Sequence, residues 1–287
     1  NFGCPHGMSE RGMGSAVGQV PKYIQEVTEW CKLHTGLPVF VKLTPNITDI
    51  KHPARAAFDG GADAVSLINT INSIVSIDLD IMAPTPTVAG KGAHGGYCGP
   101  AVKPIALSMV SEIARDPHTR NLPISGIGGI GDWRDAAEYI SLGCGSVQVC
   151  TAAMRYGFRI IDDMLDGLNN WMDEKGYTRL DDFRGAAVPN VTDWQYLDLN
   201  YKTIASIDQD KCIECGLCHI TCEDTSHQAI AASKDDDGKR IYTVIDDECV
   251  GCNLCYLVCP VPKCISMNEV DNGLPYLNWT EHPNNPM

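Results

Sequence analysis

The 287 residues are enough for one large or two ordinary domains of roughly 100–200 residues each. Hydrophobic residues make up 44% of the chain, so it can bury a core, and a formal net charge of −14 argues against nucleic-acid binding, which needs clustered Lys and Arg. No run approaches the roughly 20 apolar residues of a membrane-spanning helix, so no membrane association is expected.

Residues 1–20 are Gly-rich and loop-like. Pro21 to Gly36 reads as a helix, with Pro at its start, Gly at its end, and Ile24, Val27 and Cys31 on its apolar face. A short apolar strand over 38–43 follows, then a helix near 52–60 and a strand over 64–70. Residues 71–100 form a long Gly- and Pro-rich connection, a length that points to function. A helix begins near Lys103, with Ile105, Met109 and Ile113 at spacings of four. A strand over 122–125, a helix near 132–142, a strand over 146–150 and a helix near 157–173 complete the series.

Strands alternating with helices imply an α/β fold with a parallel sheet covered on both faces. Two architectures fit, a (β/α)₈ barrel and an open doubly wound sheet, and the strands read here are half of an eight-strand barrel. The expected organisation is a partial barrel over 1–185, a linker without periodicity over 186–205, a cysteine-rich domain over 206–268 and a tail over 269–287.

Nine of the fourteen cysteines fall between Cys212 and Cys264. Cys212, Cys215, Cys218 and Cys222 repeat, with identical spacing, as Cys249, Cys252, Cys255 and Cys259, the last followed by Pro260. Three closely spaced thiolates grip three irons of a [4Fe–4S] cube, and the fourth, a helical turn on, ligates the other cube. The predicted ligand sets are therefore Cys212, Cys215, Cys218 and Cys259 for one cluster, and Cys249, Cys252, Cys255 and Cys222 for the other. Paired zinc sites would explain four ligands but not the duplicated spacing ending in Cys-Pro. Cys264 reads as a spare core thiol. Thiolate-held iron implies a reducing, cytoplasmic setting, and two fully ligated clusters relay electrons rather than make bonds. From Ser206 onward there are 14 acidic and 5 basic residues. The run Asp235-Asp236-Asp237 is either a solvated turn or an acidic face that steers a basic partner.

The segment Asn1-Phe2-Gly3-Cys4-Pro5-His6-Gly7 places an amide, a thiol and an imidazole together. Either it is an ordinary loop with a free Cys, or Cys4 and His6 do chemistry. Lys42 interrupts an apolar strand, where a buried ammonium is costly without an anion. Asn69 and Thr70 close the next strand, and Gly128, Gly129 and Thr151 follow later ones. These positions share the C-terminal edge of the sheet, the active face of an α/β barrel. Gly126-Ile127-Gly128-Gly129-Ile130-Gly131 matches a dinucleotide fingerprint, but no acid stands at the end of the next strand, so backbone amides cradling one phosphate are favoured.

Together the Asn1–Met8 segment, Val41-Lys42-Leu43-Thr44-Pro45-Asn46, Asn69-Thr70, Gly128-Gly129-Ile130, Val149-Cys150-Thr151 and the two-cluster module resemble the dihydropyrimidine dehydrogenase family. The resemblance implies an NAD-dependent oxidoreductase that reduces uracil or thymine on FMN in a (β/α)₈ barrel. A separate flavoprotein subunit carrying FAD and NAD would supply electrons in a hetero-oligomer. It further implies hydride transfer from reduced FMN to the pyrimidine C6, with Cys4 protonating C5 and His6 assisting. Asn1, Phe2, Gly3, Asn69 and Thr70 match pyrimidine-holding positions; Lys42, Gly99, Ile127, Gly128, Gly129, Cys150 and Thr151 match positions around FMN. By the same resemblance residue 1 corresponds to the end of a fourth barrel strand, so a fragment of a longer product is expected. The alternatives are a dihydroorotate dehydrogenase-like enzyme and a non-enzymatic electron-transfer module.

Overall fold

Four short parallel strands set the architecture of the first of two units. The structure, a computed structural model, describes residues 1–5, 12–225 and 227–286, and the chain divides into Asn1–Val191 and Thr192–Met287. The first unit runs α1 (Ser15–Gly18), α2 (Pro21–His34), β1 (Phe40–Lys42), α3 (Lys51–Asp59) and β2 (Ala64–Leu67). Next come β3 (Ile71–Ser73), β4 (Ser76–Asp78), β5 (Ala83–Thr85) and β6 (Gly95–Tyr97). It closes with α4 (Lys103–Arg115), β7 (Ile124–Ile127), α5 (Trp133–Ser141), β8 (Cys144–Gln148), α6 (Thr151–Tyr156) and α7 (Ile160–Lys175).

Strands β1, β2, β7 and β8 pair in that order and all in parallel. A doubly wound sheet reverses its strand order at a switch point; here each strand lies beside its predecessor, the order of a barrel wall. Their register aligns Val41, Val65, Ile124 and Cys144 on one face and Lys42, Ser66, Ser125 and Ser146 on the other. The apolar row joins Ala106, Val110 and Ile113 of α4 and Tyr139 of α5 in the main core.

Two helical faces differ from expectation. On α2 the buried residues are Ile24 and Thr28, while Cys31 is exposed; on α4 they include Ala106, Val110 and Ile113, while Ile105 is 42% exposed. Both stripes are rotated toward a smaller residue that permits closer packing. Thr28 tolerates burial because its hydroxyl donates to the Ile24 carbonyl at 2.6 Å. The 71–100 connection is not featureless either: β3 pairs with β6 and β4 with β5, both antiparallel. Strands of three residues are too short to show a period. Helices α1 and α6 were unread for the same reason. Helix α5 begins at a reciprocal capping box, in which Asp132 accepts from the Arg134 and Asp135 amides and Asp135 accepts from the Asp132 amide, a device contributing about 1 kcal/mol.

The second unit contains β9 (Lys202–Ile207), α8 (Leu217–Asp224), β10 (Ile230–Lys234), β11 (Arg240–Val244), α9 (Leu254–Val258) and β12 (Ile265–Val270). β9 pairs antiparallel with β12, and β10 with β11. Residues 202–205, read from sequence as linker, thus form most of β9. Residues 269 and 270, read as tail, end β12. The rest of the tail pairs with the segment before β9: the Leu199 amide donates to the Leu277 carbonyl at 2.7 Å, and the Asn200 side chain to the Pro275 carbonyl at 2.7 Å. The two cysteine motifs repeat one backbone path. Glu214 and Gly251, each two residues past the first Cys, and Gly216 and Asn253, each four past it, all have positive φ.

In the first unit, Arg55 clamps the buried carboxylate of Asp116 through Nε and Nη2 at 2.7 and 2.8 Å. That guanidinium holds the Asp116 carboxyl below the usual range against the opposing effect of burial. A lowered folded-state value stabilises the fold above the ordinary Asp value of about 3.9 and is lost as pH falls below it. Asp116→Asn should cost about 2 kcal/mol in chemical denaturation at pH 7, and the difference from the parent should shrink below about pH 4. In the second unit, a Cβ on Gly251 (φ +68°) would stand 2.7 Å from the Thr203 carbonyl oxygen. Gly251→Ala should destabilise by about 1–2 kcal/mol, read as a lowered melting temperature of the iron-loaded protein.

Candidate functional site

Loops leaving the C-terminal ends of the four parallel strands enclose a cleft of about 360 Å³, within the usual range for small-molecule sites. Lys42 comes from the end of β1, Asn69 and Thr70 from just beyond β2, Ile127, Gly128 and Gly129 from the end of β7, and Cys150 and Thr151 from the start of α6, with Gly99 completing the wall. Nine residues expected from the sequence therefore line one cavity.

The six-residue glycine segment divides its work three ways. A Cβ on Gly126 would collide with the Tyr139 ring and approach Cys144 Sγ to 2.9 Å, so this glycine lets α5 pack on β7. Gly128 (φ +140°) and Gly129 (φ +72°) make the turn over the cleft; a Cβ on Gly129 would lie 2.8 Å from the Gly99 carbonyl oxygen. The Tyr139 hydroxyl pins this turn by donating to the Gly128 carbonyl at 2.6 Å, and burial raises the pKa of that phenol. Gly131 belongs to the cap: its amide donates to Asp135 Oδ2 at 2.7 Å. The amides of Gly131, Asp132, Arg134 and Asp135 already serve carboxylates, so these donors at the start of α5 are not open to a phosphate. Lys103 is similarly committed, bonding Asp135 at 2.5 Å and Glu138 at 2.9 Å.

The opposite side of the cleft differs. Helix α6 starts at Cys150 without a side-chain cap, and Arg155 from the same helix lines the cavity. Thr151 Oγ1 donates to Cys98 Sγ at 3.3 Å. A planar cofactor bearing one phosphate, such as FMN, fits this set: a glycine turn that admits close approach, open backbone donors and a cation. Lys42 stands on the cleft with no carboxylate bonded to it among the described residues.

At the other end of the cleft, the Phe2 amide donates to the Lys42 carbonyl at 3.0 Å, which ties the amino-terminal segment to the end of β1. Asn1 Oδ1 then accepts from Asn69 Nδ2 at 2.8 Å and from the Gly3 amide at 3.1 Å. A Cβ on Gly3 would overlap the Asn69 side chain, so only glycine allows this approach. Cys4 follows, half-buried, its carbonyl accepting from the Ser15 amide at 3.0 Å. Asn1, Phe2 and Gly3 are thus brought against Asn69, although they are not part of the cleft wall itself. His6 lies outside the described residues.

Sequence reasoning missed Gln148 and Arg155. Gln148 Nε2 donates to Ser66 Oγ at 2.8 Å and Ser125 Oγ at 2.9 Å, and Ser146 Oγ donates to Ser125 Oγ at 2.8 Å. This network, on the polar face of the sheet, anchors Gln148, which lines the cleft. The available signal was a Gln inside the apolar run Val147-Gln148-Val149.

In the second unit, Cys212, Cys215, Cys218 and Cys259 line one cavity, and Cys222, Cys249, Cys252 and Cys255 line another. Cys264 borders the first. Among the described residues no three His, Cys, Asp or Glu side chains are gathered as around a single ion; the thiols surround a space instead, as a cluster of several metal atoms requires. Burial, reinforced by neighbouring thiols, pushes Cys218 up to about 11 and Cys255 upward. Bound metal reverses that balance by stabilising thiolates. The donor set and its spacing fit an iron–sulfur cluster.

Residues 1–172 match the family model described as dihydroorotate dehydrogenase, and residues 205–267 match that of a 4Fe-4S dicluster domain. The chain is 43% identical over 234 residues to the NAD-dependent dihydropyrimidine dehydrogenase subunit PreA of Escherichia coli, covering 82% of this chain and 57% of that one. It is 39% identical over 220 residues to the chloroplastic dihydropyrimidine dehydrogenase (NADP(+)) of Arabidopsis thaliana, covering 76% and 51%. It is 40% identical over 188 residues to the catalytic subunit of dihydroorotate dehydrogenase B (NAD(+)) from Pyrococcus horikoshii, covering 66% and 58%. The chain therefore spans little more than half the length of these relatives. No helix among the described residues is long and apolar enough to cross a membrane. With a parallel sheet carrying its cleft at the strand ends, and 4Fe-4S sequence following it, the chain belongs to the dihydroorotate dehydrogenase family.

Proposed function

We propose that this chain is the pyrimidine-reducing, iron–sulfur part of an NAD-dependent dihydropyrimidine dehydrogenase. The observation that carries the reading is the meeting of Asn1 and Gly3 with Asn69 beside a glycine-turned cleft that holds Lys42. A pyrimidine edge alternates donors and acceptors, and carboxamides supply both from one group. Asn1 and Asn69, with Phe2, Gly3 and Thr70, hold the base. Gly99, Ile127, Gly128, Gly129, Cys150 and Thr151 hold FMN, with Arg155 on the phosphate side. Bound FMN supplies hydride to C6 of the pyrimidine 5,6 double bond. Lys42 lends positive charge to the reduced ring, the electronic tuning a protein contributes to a flavin. Cys4, as a thiol, donates the proton to C5, a general-acid role, and His6 assists it.

The eight cysteines hold two [4Fe–4S] clusters with crossed ligation, Cys259 serving the first motif and Cys222 the second. The lining of the two cavities supports that pairing. Electrons enter from a flavoprotein subunit that binds FAD and NAD, in a reducing, cytoplasmic compartment. The second reading, oxidation of dihydroorotate, draws on the family model and the Pyrococcus relative. The like-for-like match to pyrimidine dehydrogenases across both units favours the first.

The full-length protein, purified anaerobically with its flavoprotein partner, should contain about eight iron and eight sulfide per chain and turn over uracil or thymine rather than dihydroorotate. Zinc in place of iron, or no sulfide, would reject the cluster reading. Cys4→Ala should lower pyrimidine turnover by about 10²–10⁴-fold while dithionite still bleaches the clusters. An unchanged rate would reject Cys4 as the acid.

A further inference from the structure

The second unit is acidic, yet it sets two cations side by side. Lys234 and Arg240 occupy directly opposite positions on β10 and β11, an arrangement of like charges that costs stability. Both are exposed, and neither side chain meets a carboxylate within ion-pair distance among the described residues. Neighbouring carboxylates turn toward backbone amides rather than toward these two side chains. Glu214 accepts the backbone amide of Arg240 at 3.0 Å, and Asp235 folds back to accept the Asp237 and Lys239 amides at 3.1 and 2.8 Å.

These two cations line a groove of about 400 Å³ together with His219, Ile220 and Cys215, and no carboxylate lines it. Cys215, Gly216 and Tyr242 also border the cavity enclosed by Cys212, Cys218 and Cys259. One residue thickness therefore separates the groove from the space around which that quartet is arranged. A groove with this charge, in a unit of the opposite charge, selects an anionic visitor and places it against the wall of a redox centre.

We propose that this groove is an electron port for an anionic one-electron carrier, seating a carboxylate of the acidic face of a redox protein between Lys234 and Arg240. The inference rests on the cluster reading above. One electron crosses the Cys215 wall between carrier and cluster; one gains what the other loses, and no bond or proton is exchanged.

The test uses the full-length, cluster-loaded protein, reduced with dithionite, freed of excess reductant and mixed anaerobically with one equivalent of oxidant per cluster. Ferricyanide serves as the anionic probe and hexaamminecobalt(III) as the cationic one. In the parent, ferricyanide oxidation should slow as ionic strength rises, and a hexaglutamate peptide should slow it further. Lys234→Glu with Arg240→Glu should reduce the ferricyanide rate at low salt by about tenfold or more and leave the cobalt rate equal or faster. The neutral pair Lys234→Gln with Arg240→Gln should fall between. Iron and sulfide content, measured on each variant, reports on the cluster reading separately. With content intact, an unaltered ferricyanide rate, or equal slowing of both oxidants, would overturn the port.

Discussion

Everything at the cleft depends on the parallel register of β1, β2, β7 and β8. A slip of one residue in any of these strands would exchange its two faces, sending Val65 or Ile124 into the cleft and Ser66 or Ser125 into the helices. In register, Lys42, Ser66, Ser125 and Ser146 form one row across the sheet. Each strand then ends at a common level, so the residues that follow them arrive together. The apolar row on the other face, packed beneath α4 and α5, is what makes the register costly to change. Shift β2 or β7 by one residue and Ser66 or Ser125 would give up its hydrogen bond with Gln148 and enter the apolar side unpaired, at about 1–3 kcal/mol each. The site is thus held by the core it rests on, with Ile68, Val102, Ile130 and Ala152 belonging to both.

Second to the register comes the contest for backbone amides around β7. The glycine segment and the start of α5 look from sequence like one anion cradle. In the fold, Asp132 and Asp135 claim the helix start, Lys103 neutralises Asp135, and Tyr139 fixes the turn from behind. Burial opposes ionisation of Asp135, but the Lys103 contact and the Gly131 and Asp132 amides outweigh it and lower its pKa. Asp135 therefore stays ionised and paired with Lys103 on that side of the cleft, while Arg155 of α6 lines the same cavity with no carboxylate bonded to it among the described residues.

Legibility followed length and periodicity. Helices α2 and α4 were readable because their patterns run for several turns, and the parallel strands because each lies in a short apolar run between turn residues. The rotation of the buried stripes to Thr28 and Val110 was not, since it depends on which residue is small enough for the neighbouring element. Strands of three residues, as in β3 to β6, carry no period at all. At the site, Lys42, Asn69 and Gly129 announced themselves as polar or flexible residues at strand ends. Gln148 stayed hidden inside a strand because its partners, Ser66 and Ser125, are 82 and 23 residues away. The cysteine motifs were legible as spacing, whereas the shared left-handed positions at Glu214, Gly216, Gly251 and Asn253 emerged only with the backbone.

Those left-handed positions lead to the last step. The core of the second unit consists of Ala205, Ile230, Tyr242 and Ile265 with Cys218, Cys255 and Cys264, and four further cysteines pack against it. Cysteines therefore make up a large share of what this unit buries. Placing two of four turn positions on non-glycine residues adds a backbone cost, and burial makes Cys218 and Cys255 harder to ionise. Both penalties run against folding of the metal-free chain and are offset when thiolates bind a shared cation-rich centre, so that ligation and folding become one process. Each cavity draws its fourth thiol from the other motif, so neither half of the unit can close its cavity without the other in place.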